Sequence, residues 1–220
     1  MKENIFEKYS RYLQKDVVDL KQEPIDEFPA AFWGGPATVK SKQKSTHIVS
    51  VDCKVLPEKM NLSGCFSLYF PKTNCIDGVS FDEAEVIFDD SLVLSSNDKD
   101  SIALYPTKRK SLPPLEAFYY CAPKELIEYI KSTGAWSEEW YWNEPWRSMA
   151  NDYEAIWQDQ FPVYQEDIFL TIGGWHMQWP DGDWEEFLDS ELICLTVKDA
   201  EPWIEVWQTN RGIKVIERIT

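Results

Sequence analysis

Short runs of β-branched and aromatic residues, bounded by Pro, Gly, Asn or Asp, recur along this 220-residue chain. Runs of this kind predict β-strands. They fall into two regions, separated by a stretch with a different pattern. The predicted strands are His47–Cys53, Cys65–Phe70, Ala84–Phe88 and Ile102–Tyr105 in the first region, and Ile168–Ile172, Leu192–Val197, Trp203–Trp207 and Lys214–Ile219 in the second.

The two strand regions follow the same order. A Gly-Gly pair, Gly34-Gly35 or Gly173-Gly174, comes first, and a strand that ends near an Asp follows it. An aromatic-rich strand and a closing strand come next. Thr209-Asn210-Arg211-Gly212 predicts a hairpin between the last two strands. This similarity predicts an internal duplication, with pseudo-repeat halves at about 30–110 and 165–220.

Helical patterns lie between the two regions and at the start of the chain. Pro123 precedes an apolar face of Leu126, Ile127 and Ile130, and a second helix is predicted over Met149–Gln158. Residues 3–15 also read as an amphipathic helix. The expected fold is therefore α+β, with two similar antiparallel β-rich halves joined by a helical linker at about 115–160, all within a single domain of residues 1–220.

The charge of the chain excludes several function classes. The formal net charge is −16, whereas phosphate backbones require clustered Lys and Arg. Only Lys108-Arg109-Lys110 forms a basic cluster, so we expect no nucleic-acid partner. The polar N-terminus does not resemble a signal peptide, and no apolar run is long enough for a membrane span. The five Cys form no CxxC pair, which favours free thiols, and we expect a cytoplasmic protein without a membrane partner.

The sequence offers little for catalysis or metal binding. It has only two His, of which His47 begins a predicted strand and His176 lies near several carboxylates. One His without spaced Cys does not match a zinc site, and Asp181-Gly182-Asp183 is only a fragment of a calcium loop. Nucleophile-elbow and phosphate-binding motifs are missing. We therefore predict no catalytic residue, metal or cofactor, and we favour a protein that is not an enzyme.

Carboxylates and tryptophans concentrate in residues 138–192, where Arg147 is the only Lys or Arg. We call this segment the acidic tryptophan band. Aromatic anchors and steering carboxylates predict a surface that binds a basic protein partner. The alternative is a Trp-lined cleft that binds a carbohydrate or another small ligand, with paired carboxylates for carbohydrate chemistry. Under either hypothesis the predicted binding residues are Trp175, His176, Gln178, Trp179, Asp181, Asp183 and Trp184; the oligomeric state stays open.

Three short motifs resemble the YwqG-like (DUF1963) family of largely uncharacterised bacterial proteins. They are Trp33-Gly34-Gly35-Pro36, Val55-Leu56-Pro57 with Gly64–Phe70, and Gly173-Gly174-Trp175-His176-Met177-Gln178. Where that pattern has Gln in the strands after the turns, this chain has Ser50 and Leu195 or Thr196. The resemblance implies a duplicated α+β fold without established catalytic residues. It also implies an accessory role, such as an immunity-type protein that neutralises a basic toxin.

Overall fold

The computed structural model describes most of the chain. The described residues are 4–23, 28–41, 45–71, 84–95, 99–134, 143–144, 146–160, 166–175, 189–198 and 203–218. Within them the fold is α+β, dominated by antiparallel strands. The strands are β1 (Lys15–Lys21), β2 (Ala31–Trp33), β3 (Ser45–Asp52), β4 (Cys65–Pro71), β5 (Glu85–Asp89), β6 (Ile102–Ser111), β7 (Ile168–Gly173), β8 (Glu191–Thr196), β9 (Trp203–Thr209) and β10 (Gly212–Arg218).

The helices occupy the start of the chain and the stretch between β6 and β7. They are α1 (Ile5–Ser10), α2 (Leu115–Cys121), α3 (Lys124–Ser132) and α4 (Arg147–Asp159). The side chain of Asn4 caps α1 by accepting a hydrogen bond from the backbone N–H of Phe6 at 3.0 Å. Two single 3₁₀ turns, Cys53–Val55 and Glu58–Met60, connect β3 to β4.

All ten described strands form one sheet in the order β10-β9-β8-β7-β1-β6-β2-β3-β4-β5. The antiparallel pair β1 and β6 lies at its centre. On one side, β6 is followed by β2, β3, β4 and β5, and on the other side β1 is followed by β7, β8, β9 and β10. We call these two sets of five the β6 half and the β1 half. Their strand orders correspond one to one.

The two Gly-Gly pairs occupy corresponding places in the two halves. Gly34-Gly35 follows β2, which pairs with β6, and Gly174 follows Gly173 at the end of β7, which pairs with β1. All four glycines have positive φ, between 65° and 82°. Side chains other than hydrogen rarely tolerate this region of backbone space. The Gly-Gly motif thus has a conformational reason in both halves.

A single apolar core lies against one face of both halves. Val49, Val51 and Phe66 of the β6 half belong to the same buried cluster as Ile193 and Ile204 of the β1 half. A second buried cluster lies on the opposite face of the β1 half, beneath the helices. Its members include Phe6, Phe118, Leu126, Ile130, Trp146, Tyr153 and Trp157 from the helical segments, with Leu192, Leu195 and Trp207 from β8 and β9.

The structure differs from the sequence-based expectation in several elements: the strands β1 and β2 were not predicted, and β6 extends beyond Tyr105 to Ser111. The first helix ends at Ser10, and the segment after it forms the central strand β1. The two strand regions belong to one continuous sheet, because β1, from the N-terminal part of the chain, pairs with both β6 and β7. The predicted hairpin is confirmed, since Thr209 pairs with Gly212.

Candidate functional site

The predicted binding residues are described at only one position. Trp175 is buried, with 9% of its surface exposed. Its indole N–H donates a hydrogen bond to the backbone carbonyl of Leu13 at 2.9 Å. The remaining six predicted residues lie outside the described residues: His176, Gln178, Trp179, Asp181, Asp183 and Trp184.

Tryptophans and carboxylates of the acidic tryptophan band differ in exposure. Trp146 and Trp157 are buried in the helix-covered cluster. Most of the described carboxylates of the band are exposed, namely those of Glu144, Asp152, Asp159, Glu166, Asp167 and Asp189. In the described part of the band, then, the tryptophans pack internally, whereas the negative charge faces outward.

His47 belongs to a hydrogen-bonded chain that holds the 36–41 segment against the sheet. Its Nδ1 lies 3.0 Å from the carbonyl of Gly35, and its Nε2 lies 2.9 Å from Ser50 Oγ. A carbonyl can only accept, so Nδ1 carries the proton and Nε2 accepts from Ser50. Ser50 Oγ is in turn 2.7 Å from Ser67 Oγ. Burial lowers the pKa of His47 below its usual 6.5.

This arrangement contains a Ser–His pair, but it is built for structure. Ser50 is fully buried, and its oxygen also accepts the backbone N–H of Thr38 at 3.0 Å. The oxygen of Ser67 likewise accepts the N–H of Val39 at 3.1 Å. A hydroxyl fixed by several partners and closed off from solvent cannot approach a substrate.

Asp19 is a second buried polar group with a structural role. It lies at the centre of the sheet and is 1% exposed. Arg109 donates two hydrogen bonds to its carboxylate, and Thr171 Oγ1 lies 3.0 Å from Asp19 Oδ1. The three residues come from β6, β1 and β7, so this cluster fixes the junction of the two halves.

The thiols and potential metal ligands give no reactive site within the described chain. Cys53, Cys65, Cys121 and Cys194 are free and at least partly buried. Burial raises the pKa of Cys53 to about 12 and that of Cys65 to about 11. Thiols of this kind are largely protonated and are weak nucleophiles. Among the described residues, no group of three or more His, Cys, Asp or Glu side chains is arranged to hold a metal ion.

A groove of about 790 Å³ lies beside the second Gly-Gly pair. One wall consists of the start of β1 and the end of β7, and the 3₁₀ turns after β3 form the other. Pro106 and Lys108 of β6 and Glu191 of β8 complete the lining. We call this cavity the lysine groove, because its charged lining contains four lysines and three carboxylates. These are Lys15, Lys54, Lys59 and Lys108, with Asp16, Glu58 and Glu191.

Close backbone packing shapes the end of the groove. A Cβ at Gly173 would lie 2.8 Å from the carbonyl oxygen of Asp16, and one at Gly174 would lie 2.4 Å from Val17 Cγ2. Such distances are shorter than ordinary contacts between carbon and its neighbours. Only glycine therefore allows β7 to end this close to β1.

Lys15 is the central cation of the lysine groove. Its ammonium nitrogen lies 4.2 Å from the centroid of the Trp175 ring, which is a cation–π contact. Burial is the main reason that the pKa of Lys15 lies below its usual 10.5; nearby Lys59 also lowers this pKa, whereas Glu191 opposes the shift. Trp175 thus contributes to the groove through Lys15, although its own ring is buried.

Two of the groove carboxylates are engaged by other lysines. Asp16 pairs with Lys110 at 2.6 Å, and Glu191 pairs with Lys59 at 2.6 Å. Glu58 is exposed at the rim. Within the described chain, no carboxylate lies within ion-pairing distance of Lys15 or Lys108.

The lysine groove was missed at the sequence level, although one signal pointed to it. Lys108-Arg109-Lys110 is the basic cluster on β6, and the structure separates its roles: Lys108 lines the groove, Arg109 binds Asp19 and Lys110 binds Asp16. The other groove lysines are scattered along the sequence. Their convergence depends on β1 lying between β6 and β7, which no local pattern indicates.

No protein-family model matches the chain, and comparison with curated proteins finds no match either. The resemblance to the YwqG-like family accordingly stays a prediction. No helix of the described residues is long and apolar enough to cross a membrane.

Proposed function

We propose that the protein binds a small molecule in the lysine groove. The observation that supports this most is the groove itself, a cavity of about 790 Å³ with polar groups that converge on it. Ligand sites in proteins are typically concave, with volumes of about 300–1,000 Å³. The sequence also predicted a small-ligand site, with Trp175 as the first of its residues. The proposed site is instead the groove next to Trp175.

The lining of the groove combines apolar surface with a small number of polar groups. Val17, Val18, Leu56 and Ile172 are buried hydrophobic residues that contribute to it. The charged groups stand around them. Such a combination supplies contact area from the apolar part and orientation from the polar part.

The elements that carry the groove are firmly held. β1 is paired on both sides, and the 3₁₀ turn at Glu58–Met60 is tied to the β1 half by two contacts. These are the Lys59–Glu191 ion pair at 2.6 Å and a hydrogen bond of 3.3 Å from Gln208 to the carbonyl of Met60. A site on rigid elements needs little ordering when a ligand binds, which favours affinity.

A thermal-shift screen with a panel of anionic, neutral and cationic metabolites and sugars tests this proposal. Glu58→Trp places a bulky side chain at the rim, and Glu128→Trp is its control, because Glu128 is exposed on α3 and does not line the groove. A compound that raises the Tm of the wild type and of Glu128→Trp, but not of Glu58→Trp, supports the proposal. If no compound raises the Tm, or if Glu58→Trp responds like the wild type, the proposal is wrong.

The exposed carboxylates favour a second candidate function, which is binding of a basic protein partner. These carboxylates place negative charge on the surface of the protein, along α4 and the segments before β7 and β8. This supports the electrostatic part of the hypothesis and would suit an immunity-type protein. A pull-down from the native host at low and high salt tests it. Recovery of a basic partner that decreases with salt supports it, and salt-independent recovery or none contradicts it.

Two further expectations from the sequence, on the origin of the fold and on the compartment, are also proposals. The matched strand orders and the corresponding Gly-Gly pairs support an origin by internal duplication, with the α2–α4 segment as the connection between the repeats. The free thiols support residence in a reducing compartment such as the cytoplasm.

A further inference from the structure

Lys15 is a half-buried cation that forms no ion pair with any carboxylate of the described residues. Its ammonium group is stacked on Trp175. Cation–π contact offsets part of the cost of removing an ammonium group from water. It satisfies none of the three N–H donors in the way that a carboxylate would.

The nearest carboxylates are held elsewhere by the geometry of the groove. Glu191 lies close enough to influence Lys15 electrostatically, but its Oε1 is 2.6 Å from the ammonium of Lys59. Asp16, the neighbour of Lys15 in sequence, is bound by Lys110 at 2.6 Å. Among the described residues of the groove, two ammonium groups, those of Lys15 and Lys108, and only one carboxylate, that of Glu58, form no ion pair.

Lys108 adds a second cation on the other side of β1. It stands opposite Val18 in the register of β6 and β1, and Val18 lines the groove. Its side chain is exposed and forms no ion pair with a described residue. The register places Lys108 on the other face of the β1–β6 pair from Lys15, so the half-buried ammonium group of Lys15, with Lys59 nearby, is the one that an anion inside the groove meets.

We propose that the ligand of the lysine groove is an anion, a small molecule with a carboxylate or phosphate group that binds the ammonium group of Lys15. This inference rests on the proposed small-ligand function. The net charge of −16 repels anions at long range, and a groove with a local excess of lysine overcomes that repulsion only at short range. The site thus selects a small anion that can reach Lys15 inside the groove and discriminates against an extended polyanion.

Titration calorimetry with defined probes tests the inference. The probes are inorganic phosphate, citrate and glucose, which separate phosphate, carboxylate and neutral chemistry. We expect phosphate or citrate to bind and glucose to bind at least tenfold more weakly. Lys15→Gln should weaken binding of the anion by about tenfold or more, because one charge-assisted contact is lost. Lys15→Arg should retain most of it, because the positive charge remains.

Lys124→Gln is the matched control, since Lys124 carries an 84% exposed side chain on α3, away from the groove. Its affinity for the anion should equal that of the wild type. Unchanged anion affinity in Lys15→Gln, or binding of glucose without binding of either anion, would overturn the inference while leaving the small-ligand function standing. Failure of every probe here and of every compound in the thermal-shift screen would overturn both.

Discussion

The β6 half and the β1 half share a strand order but differ in what covers their outer faces. The pairing of β3 with β4 and of β8 with β9 allows the two halves to be compared residue by residue. Ser50 pairs with Ser67 across β3 and β4, and Leu195 pairs with Glu205 across β8 and β9 at the corresponding place. Two small hydroxyls in one half thus correspond to a leucine and a carboxylate in the other.

The outer face of the β6 half is covered by chain without regular structure. Residues 36–41 lie over it, and their backbone N–H groups require acceptors. Ser50, Ser67 and Tyr69 provide these acceptors for Thr38, Val39 and Ser41. The strands beneath this loop therefore carry the polar side chains that its backbone N–H groups need.

The outer face of the β1 half is covered by helices, which satisfy their own backbone groups. Leu195 and Trp207 pack there beneath Tyr153 and Trp157. Trp207 corresponds to Tyr69 of the other half. Trp207 lies two residues after Glu205 on β9, and Tyr69 lies two residues after Ser67 on β4. It is 2% exposed and donates to Glu205 Oε2 at 2.9 Å. The comparison teaches that one strand order accommodates a loop cover or a helix cover, depending on the residues on the outer face of the strands.

The largest expected effect is at Trp207. Trp207→Ala removes a large side chain from beneath the helices and should lower the free energy of unfolding by about 3–5 kcal/mol. Urea denaturation followed by circular dichroism measures this. Trp203→Ala is the control, because Trp203 is only half-buried, and it should cost clearly less. Equal losses would mean that the helix cover contributes little to the β1 half.

The first glycines of the two Gly-Gly pairs should respond unequally. Gly173→Ala combines a positive φ of 71° with a Cβ 2.8 Å from a backbone oxygen, whereas a Cβ at Gly34 is 3.6 Å from its nearest atom. We expect a loss of about 2–4 kcal/mol at Gly173, where overpacking adds to backbone strain. Gly34→Ala should cost about 1 kcal/mol from backbone strain alone. The same denaturation series checks both, and a larger loss at Gly34 would contradict the packing comparison.

Removal of one strand hydroxyl tests the loop cover. Ser67→Ala leaves the buried N–H of Val39 without its acceptor and should cost about 1–3 kcal/mol. Hydrogen exchange of the Val39 amide should accelerate in this variant. Ser63→Ala, at an exposed position, should change stability by less than about 0.5 kcal/mol. Unchanged protection of Val39 would show that the hydroxyl is dispensable.

The smallest expected effect is a pH dependence confined to the β6 half. The pKa of His47 is lowered in the folded state, so its contribution to stability is present above about pH 6.5 and is lost as the pH falls through the folded value. Protonation would force Nε2 to donate towards Ser50 and would reverse the hydroxyl chain. His47→Gln should therefore lose less stability than the wild type between pH 7.5 and pH 5. Parallel slopes would contradict this role.

Much of the sheet could be predicted because its strands carry local signals. Strands such as Cys65–Pro71 and Trp203–Thr209 are rich in aromatic and β-branched residues, and their turns contain Gly or Asn. The central strand β1 could not, since four of the seven residues of Lys15–Lys21 are charged, and its burial comes from neighbours distant in sequence. The helices over the β1 half could be predicted from their apolar period of 3.6 residues. The face of the sheet on which they pack could not.

The candidate site was predicted less well for the same reason. Trp175 was placed in a binding region and lies next to the lysine groove, yet the lysines that define that groove come from β1, β6 and the 3₁₀ turns. A cluster assembled from separate segments has no characteristic residue spacing by which the sequence could reveal it. The pairing of Ser50 with His47 was equally hidden, because it depends on an irregularity in the strand between His47 and Val49 that brings two residues three apart to the same face.

The central position of β1 also has a consequence for synthesis. This strand emerges early from the ribosome, but both of its partners, β6 and β7, are translated much later. Until then its two edges have no sheet to join, and Asp19 has neither Arg109 nor Thr171. β1 must therefore stay unpaired until β6 and β7 have been synthesised, and closure of the sheet becomes a late, long-range step of folding.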